Sequence, residues 1–465
     1  MSTQEAAVEE LFAYFGSFVN FEQKQKQTIR EYRLDRMRQL LEFFGNPQQQ
    51  LKVIHIAGSK GKGSTALYIA SGLEALGYTS GLYSSPHISN YRERITQAGR
   101  FFDSELYLNV GLRIKAALPI FNQTVLSGES EPTAFELFTL YAFLLFVEAG
   151  CSYAVIETGI GGRLDATNVV TPQASVITSI ELEHTDILGS TLEQIAAEKA
   201  GIIKPGAPVF VSRQKQNVLD VIRSRAEQVD SRLYYFPDYP AEFAAGVDAR
   251  GTHLYLRWRA DGRVKAQDAP QPTAVIELDL AMQGEVQAEN AALALTVLRE
   301  LLPERCASSQ FEAMLHAVAS ASLPGRMELR SQNPPILLDG AHTPISVRRS
   351  IATFQRIYGT DGVCIFGSVE GKDTAGMAAA VADAFSDIII SRPGTFKANS
   401  PEEVAKIFRT AAPKAELHIE AEDALRRALA LADGRPILVT GSFYMVAEIR
   451  RLLQPPPKHK TMEDK

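Results

Sequence analysis

Short apolar strands alternate with helical patterns along most of this 465-residue chain. In its first part the strand-like runs lie at 53–57, 81–84, 153–158, 175–180 and 209–212, and the helical patterns lie at 28–44, 65–76, 133–148, 191–200 and 217–229. Continuous apolar strands between helices are typical of a parallel sheet that is covered on both faces. The alternation therefore predicts an α/β fold with a mainly parallel sheet.

One interruption and one restart of this alternation indicate the domain organisation. At 250–282, THLYLRWR and the run 274–280 flank a polar turn at 260–263, which predicts a small antiparallel appendage. After a helical pattern at 287–302 and the stop at Leu323-Pro324-Gly325, strand-like runs alternate with helices again, at 336–339, 363–367, 387–391, 415–419 and 437–440. We predict two domains, 1–322 and a Rossmann-like α/β domain at 323–465, with a disordered polar tail from Pro455.

Composition and charge favour a protein that acts on small molecules. A formal net charge of −6 gives no general attraction to nucleic acid or to an anionic membrane. The three cysteines, Cys151, Cys306 and Cys364, are far apart, which fits a reducing compartment. The acidic N-terminal stretch is unlike a signal peptide, and the longest apolar run, 137–147, is well short of the ~20 residues of a membrane span. We expect a cytoplasmic protein and a monomer.

A glycine-rich segment, GSKGKGST at 58–65, lies between the first strand and its helix. There, backbone N–H groups and a helix N-terminus can hold phosphate. The spacing departs from G-x-x-x-x-G-K-[ST], because no glycine stands five residues before Gly61. Even so, Lys62 offers a positive charge for phosphate and Ser64 a hydroxyl for Mg²⁺, so we favour a phosphate-binding loop over a plain glycine turn.

Two polar residues follow neighbouring strands. Glu157 comes directly after the apolar run 153–156. A carboxylate at the end of a buried strand lies where open α/β sheets bind ligands, and it is a hard oxygen ligand for Mg²⁺, although a strand-end glutamate can also simply face solvent. His184 follows the next strand in ELEHTD. By itself such a histidine is more often structural than a ligand.

Lys199 lies on the apolar face of a predicted helix. The run 190–193 predicts a capping box, and Leu192, Ile195 and Lys199 are spaced i, i+3 and i+7. Two interpretations stay open. The lysine either extends outward to solvent, or it is partly buried with a lowered pKa, in which case its neutral amine can react with CO₂ to form a carbamate.

The second domain also presents polar residues at strand ends. Asp339 ends a strand and opens DGAHTP, while GSVEGKD at 367–373 and Gly441-Ser442 end two others. These positions predict a polar rim that faces a ligand.

Seven segments resemble the folylpolyglutamate synthase and dihydrofolate synthase family of the Mur ligase superfamily, over nearly everything from Tyr32 to Arg450. They are HIAGSKGKGST (55–65), LYSSPHI with RERI (82–95), ETGIGGRLDATN (157–168), LEHTDILGSTLEQIAAEKAGIIKPG (182–206), LPGRMEL (323–329), DGAHTP (339–344) and TGSFYMVAEIR (440–450). The resemblance implies a P-loop ATPase domain followed by a Rossmann-like glutamate ligase domain. It also implies ATP-dependent addition of L-glutamate to dihydropteroate or a reduced folate through an acyl phosphate, with the second domain closing over the first.

The resemblance further implies roles for individual residues. Lys62, His184 and Lys199 are the expected catalytic residues, Lys199 standing where the family carries a carbamylated lysine. The nucleotide is expected to contact Gly58, Gly61, Lys62, Gly63, Ser64, Thr65, Asn290, Arg326 and Asp339. Two Mg²⁺ ions are expected, one on Ser64 and Glu157 and one on Ser85, Glu157 and His184. Substrate contacts are expected from Asp165 to the pterin and from His342 and Ser442, with His342 near the incoming glutamate.

Three positions depart from the family pattern. Lys60 replaces the asparagine of T-N-G-K-G, Val286 stands where a histidine often precedes Gln287, and Thr343 replaces the asparagine of D-G-A-H-N-P.

One rival function is that of a peptidoglycan Mur ligase. Such an enzyme would need a separate N-terminal domain, for which the 57 residues before Gly58 are too few. A nucleotide-dependent regulator would not require Lys199 or a second α/β domain. The resemblance does not separate the dihydrofolate synthase activity from the folylpolyglutamate synthase activity.

Overall fold

The computed structural model describes residues 3–19, 34–126, 131–258, 275–306, 309–394 and 398–453. The chain divides into two compact units, Val8–Leu323 and Pro324–Lys465, with Met1–Ala7 grouped with the latter. Three sequence predictions fall outside the described residues, namely the start of the helix at 28–33, the turn at 260–263 and the tail from Pro455. Within the described ranges, no helix is long and apolar enough to cross a membrane.

The first unit is built on a seven-stranded sheet, in the described residues, with the order β3-β2-β4-β1-β5-β6-β7. Its strands are β1 (Lys52–Ala57), β2 (Ser80–Tyr83), β3 (Ile95–Gln97), β4 (Tyr153–Glu157), β5 (Ala174–Ile177), β6 (Val209–Val211) and β7 (Leu233–Tyr235). Six of them are parallel, and β3 pairs antiparallel with β2 at the edge. The strand that leads into the glycine-rich loop, β1, therefore lies between the strands that lead to Glu157 and to His184.

Helices cover both faces of this sheet. Those assigned up to residue 323 are α1 (Thr3–Gly16), α2 (Leu34–Phe43), α3 (Lys62–Ala75), α4 (Ser104–Phe121), α5 (Ala134–Glu148), α6 (Thr185–Leu188), α7 (Leu192–Ala200), α8 (Gln216–Gln228), α9 (Glu285–Leu301), α10 (Pro303–Cys306) and α11 (Gln310–Ser320). Successive side chains of β1 point to opposite faces. Ile54 and Ile56 accordingly pack in the core shared with α3 and α9, while Val53 packs in the core of α1, α2, α4 and α5. The predicted α/β fold is confirmed.

The predicted appendage is larger than the sequence indicated. Strands β8 (Pro240–Asp248), β9 (Gly251–Trp258) and β10 (Val275–Leu280) form a three-stranded antiparallel sheet in the described residues, where a two-stranded ribbon was predicted. The sequence of β8, PAEFAAGVD, is rich in alanine and glycine, which have low strand propensity, so its pairing with β9 was not visible in the sequence.

The second unit has a six-stranded sheet, in the described residues, with the order β11-β12-β16-β13-β14-β15. Its strands are β11 (Glu328–Gln332), β12 (Pro335–Leu338), β13 (Val363–Phe366), β14 (Asp387–Ile390), β15 (Glu416–Leu417) and β16 (Ile437–Thr440), and its helices are α12 (Pro344–Tyr358), α13 (Thr374–Ala382), α14 (Pro401–Ala411), α15 (Ala421–Ala432) and α16 (Phe443–Leu452). All pairs are parallel except β11 with β12. Because β16 inserts between β12 and β13, the loops that follow these three strands share one edge.

Candidate active site

The glycine-rich loop is anchored to the end of the neighbouring strand β5. The N–H groups of Ser59 and Lys60 donate to the carbonyl oxygen of Ser179 at 2.8 and 3.2 Å. Gly58 has a φ of 155°, and a Cβ there would lie 1.8 Å from Thr178 Oγ1. Gly61, with a φ of 87°, is the residue from which α3 begins. The loop can therefore follow this path only with glycine at these positions.

Helix α3 begins at Lys62, three residues earlier than the sequence predicted. Lys62, Gly63 and Ser64 thus form its first turn, where backbone N–H groups have no partner within the helix. Such a helix start favours a bound phosphate. Lys62 Nζ donates to the Gly58 carbonyl at 3.0 Å, which folds the ammonium back over the loop.

Glu157 brings a carboxylate to the same place from the end of β4. Its side chain is only 3% exposed. Oε1 lies 3.9 Å from Lys62 Nζ, and Oε2 accepts from the Ser85 N–H at 3.2 Å. A Cβ on Gly63 would lie 3.3 Å from Oε2, so the carboxylate touches the first turn of α3. The structure therefore brings together Lys62, Gly63, Ser85 and Glu157.

These residues offer the ligand types that Mg²⁺ prefers. The described residues contain no group of three or more His, Cys, Asp and Glu side chains that could hold a metal ion. The ligand sets of the two predicted magnesium sites depend on the hydroxyls of Ser64 and Ser85 and on the carboxylate of Glu157. These groups are hard oxygen ligands, which suit Mg²⁺. His184 is exposed, at the start of α6 with a φ of 45°. Glu157 contacts Gly63, the residue before Ser64, and a magnesium ion on Ser64 and Glu157 stays a prediction.

Asn290, on helix α9, contacts the glycine-rich loop. It is 5% exposed, and its Oδ1 would lie 2.5 Å from a Cβ on Gly61. Its Nδ2 donates to Gln287 Oε1 at 3.3 Å. A residue far along the chain is thus in contact with the glycine-rich loop.

Lys199 is buried beside the loop and does not extend to solvent. Its side chain is 1% exposed, and Nζ donates to the Gly58 carbonyl at 2.7 Å and to Glu183 Oε1 at 2.8 Å. Burial lowers the pKa of Lys199 to about 8, although Glu183 opposes this shift. Burial alone would raise the pKa of Glu183, but the Lys199 and Lys62 ammonium groups bring it down to about 2. Two ammonium groups, on Lys62 and Lys199, therefore share one carbonyl oxygen.

The predicted capping box of the Lys199 helix is wrong by one residue. The N-cap is Thr191, whose Oγ1 accepts from the Gln194 N–H at 3.3 Å, while Gln194 Oε1 accepts from the Thr191 N–H at 3.2 Å. The sequence STLEQ holds two overlapping matches to the pattern, and the helix uses the second because it begins at Leu192. The buried face is unchanged, since side-chain spacing does not depend on which residue caps the helix.

Asp165 lies inside the loop that follows Glu157. Oδ1 accepts from Thr167 N–H and Oγ1 at 3.0 and 2.6 Å, and Oδ2 accepts from the Gly159 and Ile160 N–H groups at 2.9 and 3.0 Å. Burial raises its pKa, and these hydrogen bonds oppose the shift. The carboxylate thus organises the loop, and its contact with a pterin stays a prediction.

One important neighbour, Glu183, was not singled out from the sequence. A signal for it existed, because a buried lysine requires a counterion and Glu183 precedes His184 in the same segment. Thr178, which limits Gly58, carried no such signal, since only the pairing of β1 with β5 brings it there.

The second unit has its own polar rim. Asp339 accepts from Ser350 Oγ at 2.6 Å and from the Ala341 and Met327 N–H groups at 3.0 Å each. Burial raises its pKa, opposed by Ser350 and by the nearby Arg326. The Arg326 guanidinium lies 4.3 Å from the centre of the Phe443 ring. This rim thus holds a buried carboxylate near a cation.

Next to it, the His342 ring packs against Phe443, the residue that follows Ser442. The His342 ring centre lies 5.6 Å from that of Phe443, and Ser442, immediately before Phe443, caps α16 by accepting from the Met445 N–H at 3.0 Å. Thr343, which departs from the family pattern, caps α12 in a capping box with Ser346. Threonine therefore serves there as an ordinary N-cap residue.

Comparison with known proteins agrees with this geometry. The Mur ligase middle domain matches residues 56–298, and the Mur ligase glutamate ligase domain matches residues 325–443. A dihydrofolate synthase/folylpolyglutamate synthase of Bacillus subtilis is 30% identical, over 90% of this chain and 95% of its own. A folylpolyglutamate synthase of Lacticaseibacillus casei is 31% identical, over 89% and 92%.

A solved structure extends the likeness to the fold of nearly the whole chain. Folylpolyglutamate synthase of Mycobacterium tuberculosis, complexed with ADP and AMPPCP, superposes with a TM-score of 0.83 at 26% identity, covering 98% of this chain and 100% of that one. The chain belongs to the folylpolyglutamate synthase and dihydrofolate synthase family of Mur ligases, which are ATP-dependent enzymes that form carbon–nitrogen bonds.

Proposed function

We propose that this protein uses ATP to join the amino group of L-glutamate to a folate-type carboxylate. The observation that carries the proposal is the cluster at the ends of β1, β2 and β4, where the first turn of α3, Lys62 and Glu157 meet within a few ångströms. This cluster combines donors for phosphate with a carboxylate for a metal ion. Relatives of this chain are named dihydrofolate synthase/folylpolyglutamate synthase and folylpolyglutamate synthase.

The first step activates the carboxylate. One of its oxygens attacks the γ-phosphorus of ATP. The bond between that phosphorus and the oxygen that bridges it to the β-phosphate breaks, and ADP leaves with the electron pair of that bond. The N–H groups at the start of α3 and the Lys62 ammonium hold the phosphates in line. Ser64 and Glu157 would hold one Mg²⁺ ion, and Ser85, Glu157 and His184 would hold a second. When bound, the two ions would neutralise phosphate charge.

The second step forms the amide. The neutral amine of glutamate attacks the carbonyl carbon of the acyl phosphate, inorganic phosphate leaves, and the nitrogen loses a proton. We assign binding of the incoming glutamate to the rim of the second unit, through His342 and Ser442, with Arg326 and Asp339 on the nucleotide. Asp165, in the loop that follows β4, is assigned to the pterin side.

Lys199 is proposed to work as a carbamate. Its neutral amine adds to CO₂ and releases one proton, so that an ammonium is replaced by an anion. Burial supports this reaction because it lowers the pKa of Lys199 to about 8. Glu183 and the Gly58 carbonyl, which now accept from the ammonium, would face that anion, so carbamylation requires Glu183 to move away.

Gly61→Ala is expected to weaken ATP binding by about tenfold or more. The new Cβ would lie 2.5 Å from Asn290 Oδ1 at a φ of 87°, so the loop and the start of α3 must both shift. Calorimetric titration with a nonhydrolysable ATP analogue measures the effect. Gly45→Ala is the matched control, since Gly45 has a φ of 80° but nothing within 4 Å of its Cβ position. Equal affinities for the two variants would contradict the assignment of the loop.

Product analysis tests the proposed function. The purified protein is incubated with ATP, Mg²⁺ and glutamate, plus dihydropteroate in one reaction and tetrahydrofolate in another, and the products are identified by mass spectrometry. Product in both reactions indicates a bifunctional enzyme, and product in one assigns the activity. Absence of product in both, with folded protein that binds ATP, would overturn the proposal.

A further inference from the structure

A histidine is buried in the middle of the central strand, outside the residues assigned so far. His55 of β1 is 0% exposed and stands among apolar residues in KVIHIA. Burial, with the positive charge of Lys204, lowers its pKa to about 3, so the ring is neutral at physiological pH. A neutral aliphatic side chain would fill this position without any polar atom to satisfy, so packing alone does not account for a histidine.

The hydrogen bonds of His55 define its tautomer. Its Nε2 lies 2.8 Å from Thr167 Oγ1, and that hydroxyl donates its single hydrogen to Asp165 Oδ1 at 2.6 Å. The hydroxyl can therefore only accept from His55, so the ring proton is on Nε2. Nδ1 is left without a hydrogen-bond partner among the described residues. A buried nitrogen without a partner is destabilising, which again points to a purpose other than stability.

The chain of bonds continues from Asp165 into the loop at 159–163. Asp165 Oδ2 accepts from the N–H groups of Gly159 and Ile160, the two residues that begin this loop. Four donors in all converge on this carboxylate, as is expected for an ionised acceptor. Asp165 thereby transmits the position of His55 to the loop backbone.

The loop at 159–163 in turn lies against the backbone that carries Lys199. The Arg163 N–H donates to the Glu198 carbonyl at 2.7 Å. A Cβ on Gly162 would lie 2.8 Å from that oxygen and 2.9 Å from the Lys199 carbonyl oxygen, so the two backbones are in direct contact. A shift of the loop by a few tenths of an ångström would therefore move Lys199.

We propose that His55 is a positioning residue of the ligase site, which acts through Thr167 and Asp165 to hold the loop at 159–163 against the backbone of Lys199. The same strand, β1, leads into the glycine-rich loop three residues later. The Gly58 carbonyl, which accepts from the Lys199 ammonium, and the helix of Lys199 are therefore both positioned by β1. This role rests on the proposed function, because it concerns the geometry of Lys199 during ligation.

Thr167→Val removes only the hydroxyl that links His55 to Asp165. It is expected to lower kcat for ligation by about ten- to a hundredfold, the usual effect of losing a residue that orients a ligand or catalytic group. KM for ATP should change little, because the contacts of the glycine-rich loop remain. Thr167→Ser keeps the hydroxyl and is expected to restore most of the activity.

Thr296→Val is the matched control for loss of a buried threonine hydroxyl. Thr296 lies on α9, is 1% exposed, and its hydroxyl donates to the Ala292 carbonyl at 2.9 Å. Its kcat is expected to equal that of the wild type. The proposal is overturned if Thr167→Val matches this control, or if the serine variant is as slow as the valine variant.

Nitrogen NMR of the His55 ring tests the geometry without turnover. The expected spectrum shows a neutral ring with its proton on Nε2, unchanged from pH 5.5 to pH 8, and an Nε2–H signal that shifts in Thr167→Val. A ring protonated on Nδ1, or one that titrates near the ordinary histidine pKa, would overturn the proposal. Wild-type protein that forms no product refutes the ligase function, whereas active wild type with an equally active Thr167→Val refutes only the role of His55.

Discussion

Lys199→Ala is expected to lower glutamate ligation by at least about a hundredfold, the usual cost of removing a charged group from the reaction site. ATP should still bind, because the start of α3 and Lys62 are untouched. The alanine variant also removes one of the cations that lower the pKa of Glu183. Lys199→Met also removes the amine but keeps most of the side-chain volume, so it separates loss of the amine from loss of packing and should be equally inactive.

Steady-state ligation assays, together with calorimetric titration with ATP, distinguish a ligase from a nucleotide-dependent regulator. A nucleotide-dependent switch would keep both ATP binding and its response to ATP in the alanine variant. If either variant retains ligation within tenfold of the wild type, Lys199 is not required and the carbamate is excluded.

The pH dependence of activation by CO₂ follows from the lowered pKa of Lys199. Only the neutral amine reacts with CO₂, and with a pKa of about 8 roughly one tenth of the amine is neutral at pH 7. Protein depleted of CO₂ should therefore regain activity faster as the pH rises from 7 to 9, when the concentration of dissolved CO₂ is held constant. A recovery rate that falls over this range would contradict the proposed chemistry.

Glu157→Gln is expected to lower kcat by about a hundred- to a thousandfold, because it removes the carboxylate charge that would face the metal ion and Lys62. The amide oxygen can still accept from the Ser85 N–H, so local structure should survive. Because Lys62 loses its carboxylate partner, which lies 3.9 Å away, thermal stability should fall in the variant. The variant should need more Mg²⁺ for half-maximal activity.

Magnesium titrations of ligation, with thermal unfolding of the same samples, provide the measurement for Glu157. Glu148→Gln is the matched control, since Glu148 lies in a partly exposed ion pair with Arg113 at the end of α5. Its activity and magnesium requirement should equal those of the wild type. An unchanged magnesium requirement in Glu157→Gln would remove Glu157 from the metal site.

The sequence predicted best those features that short stretches of chain determine. Strands such as β1 and β4 are mostly apolar because both sheet faces are covered, so their composition alone indicates burial. Helical spacing placed Lys199 on the apolar face of its helix, but it left open whether the amine is buried or extends to solvent. Features that depend on contacts between distant segments were missed, as with the pairing of β8. The family resemblance placed Asn290 at the nucleotide but did not predict its contact with Gly61.

Residues with more than one chemically reasonable role were the hardest to predict. The overlapping capping patterns at 190–194 differ by one residue, and nothing local decides between them. For Asp165, the resemblance implies a ligand contact, while the four hydrogen bonds within the loop became visible only once the chain path was known. His55 looked like one more residue of a buried strand, because its partner Thr167 is 112 positions away.

Oxygen transfer from the substrate carboxylate to phosphate is the most direct test of the central claim. The substrate is labelled with ¹⁸O in the carboxylate that receives glutamate, and the phosphate released during ligation is examined by mass spectrometry. Attack of that carboxylate on ATP, followed by displacement of phosphate by the amine, places one labelled oxygen in each phosphate. Phosphate without label, released in step with the glutamylated product, would contradict the acyl-phosphate mechanism.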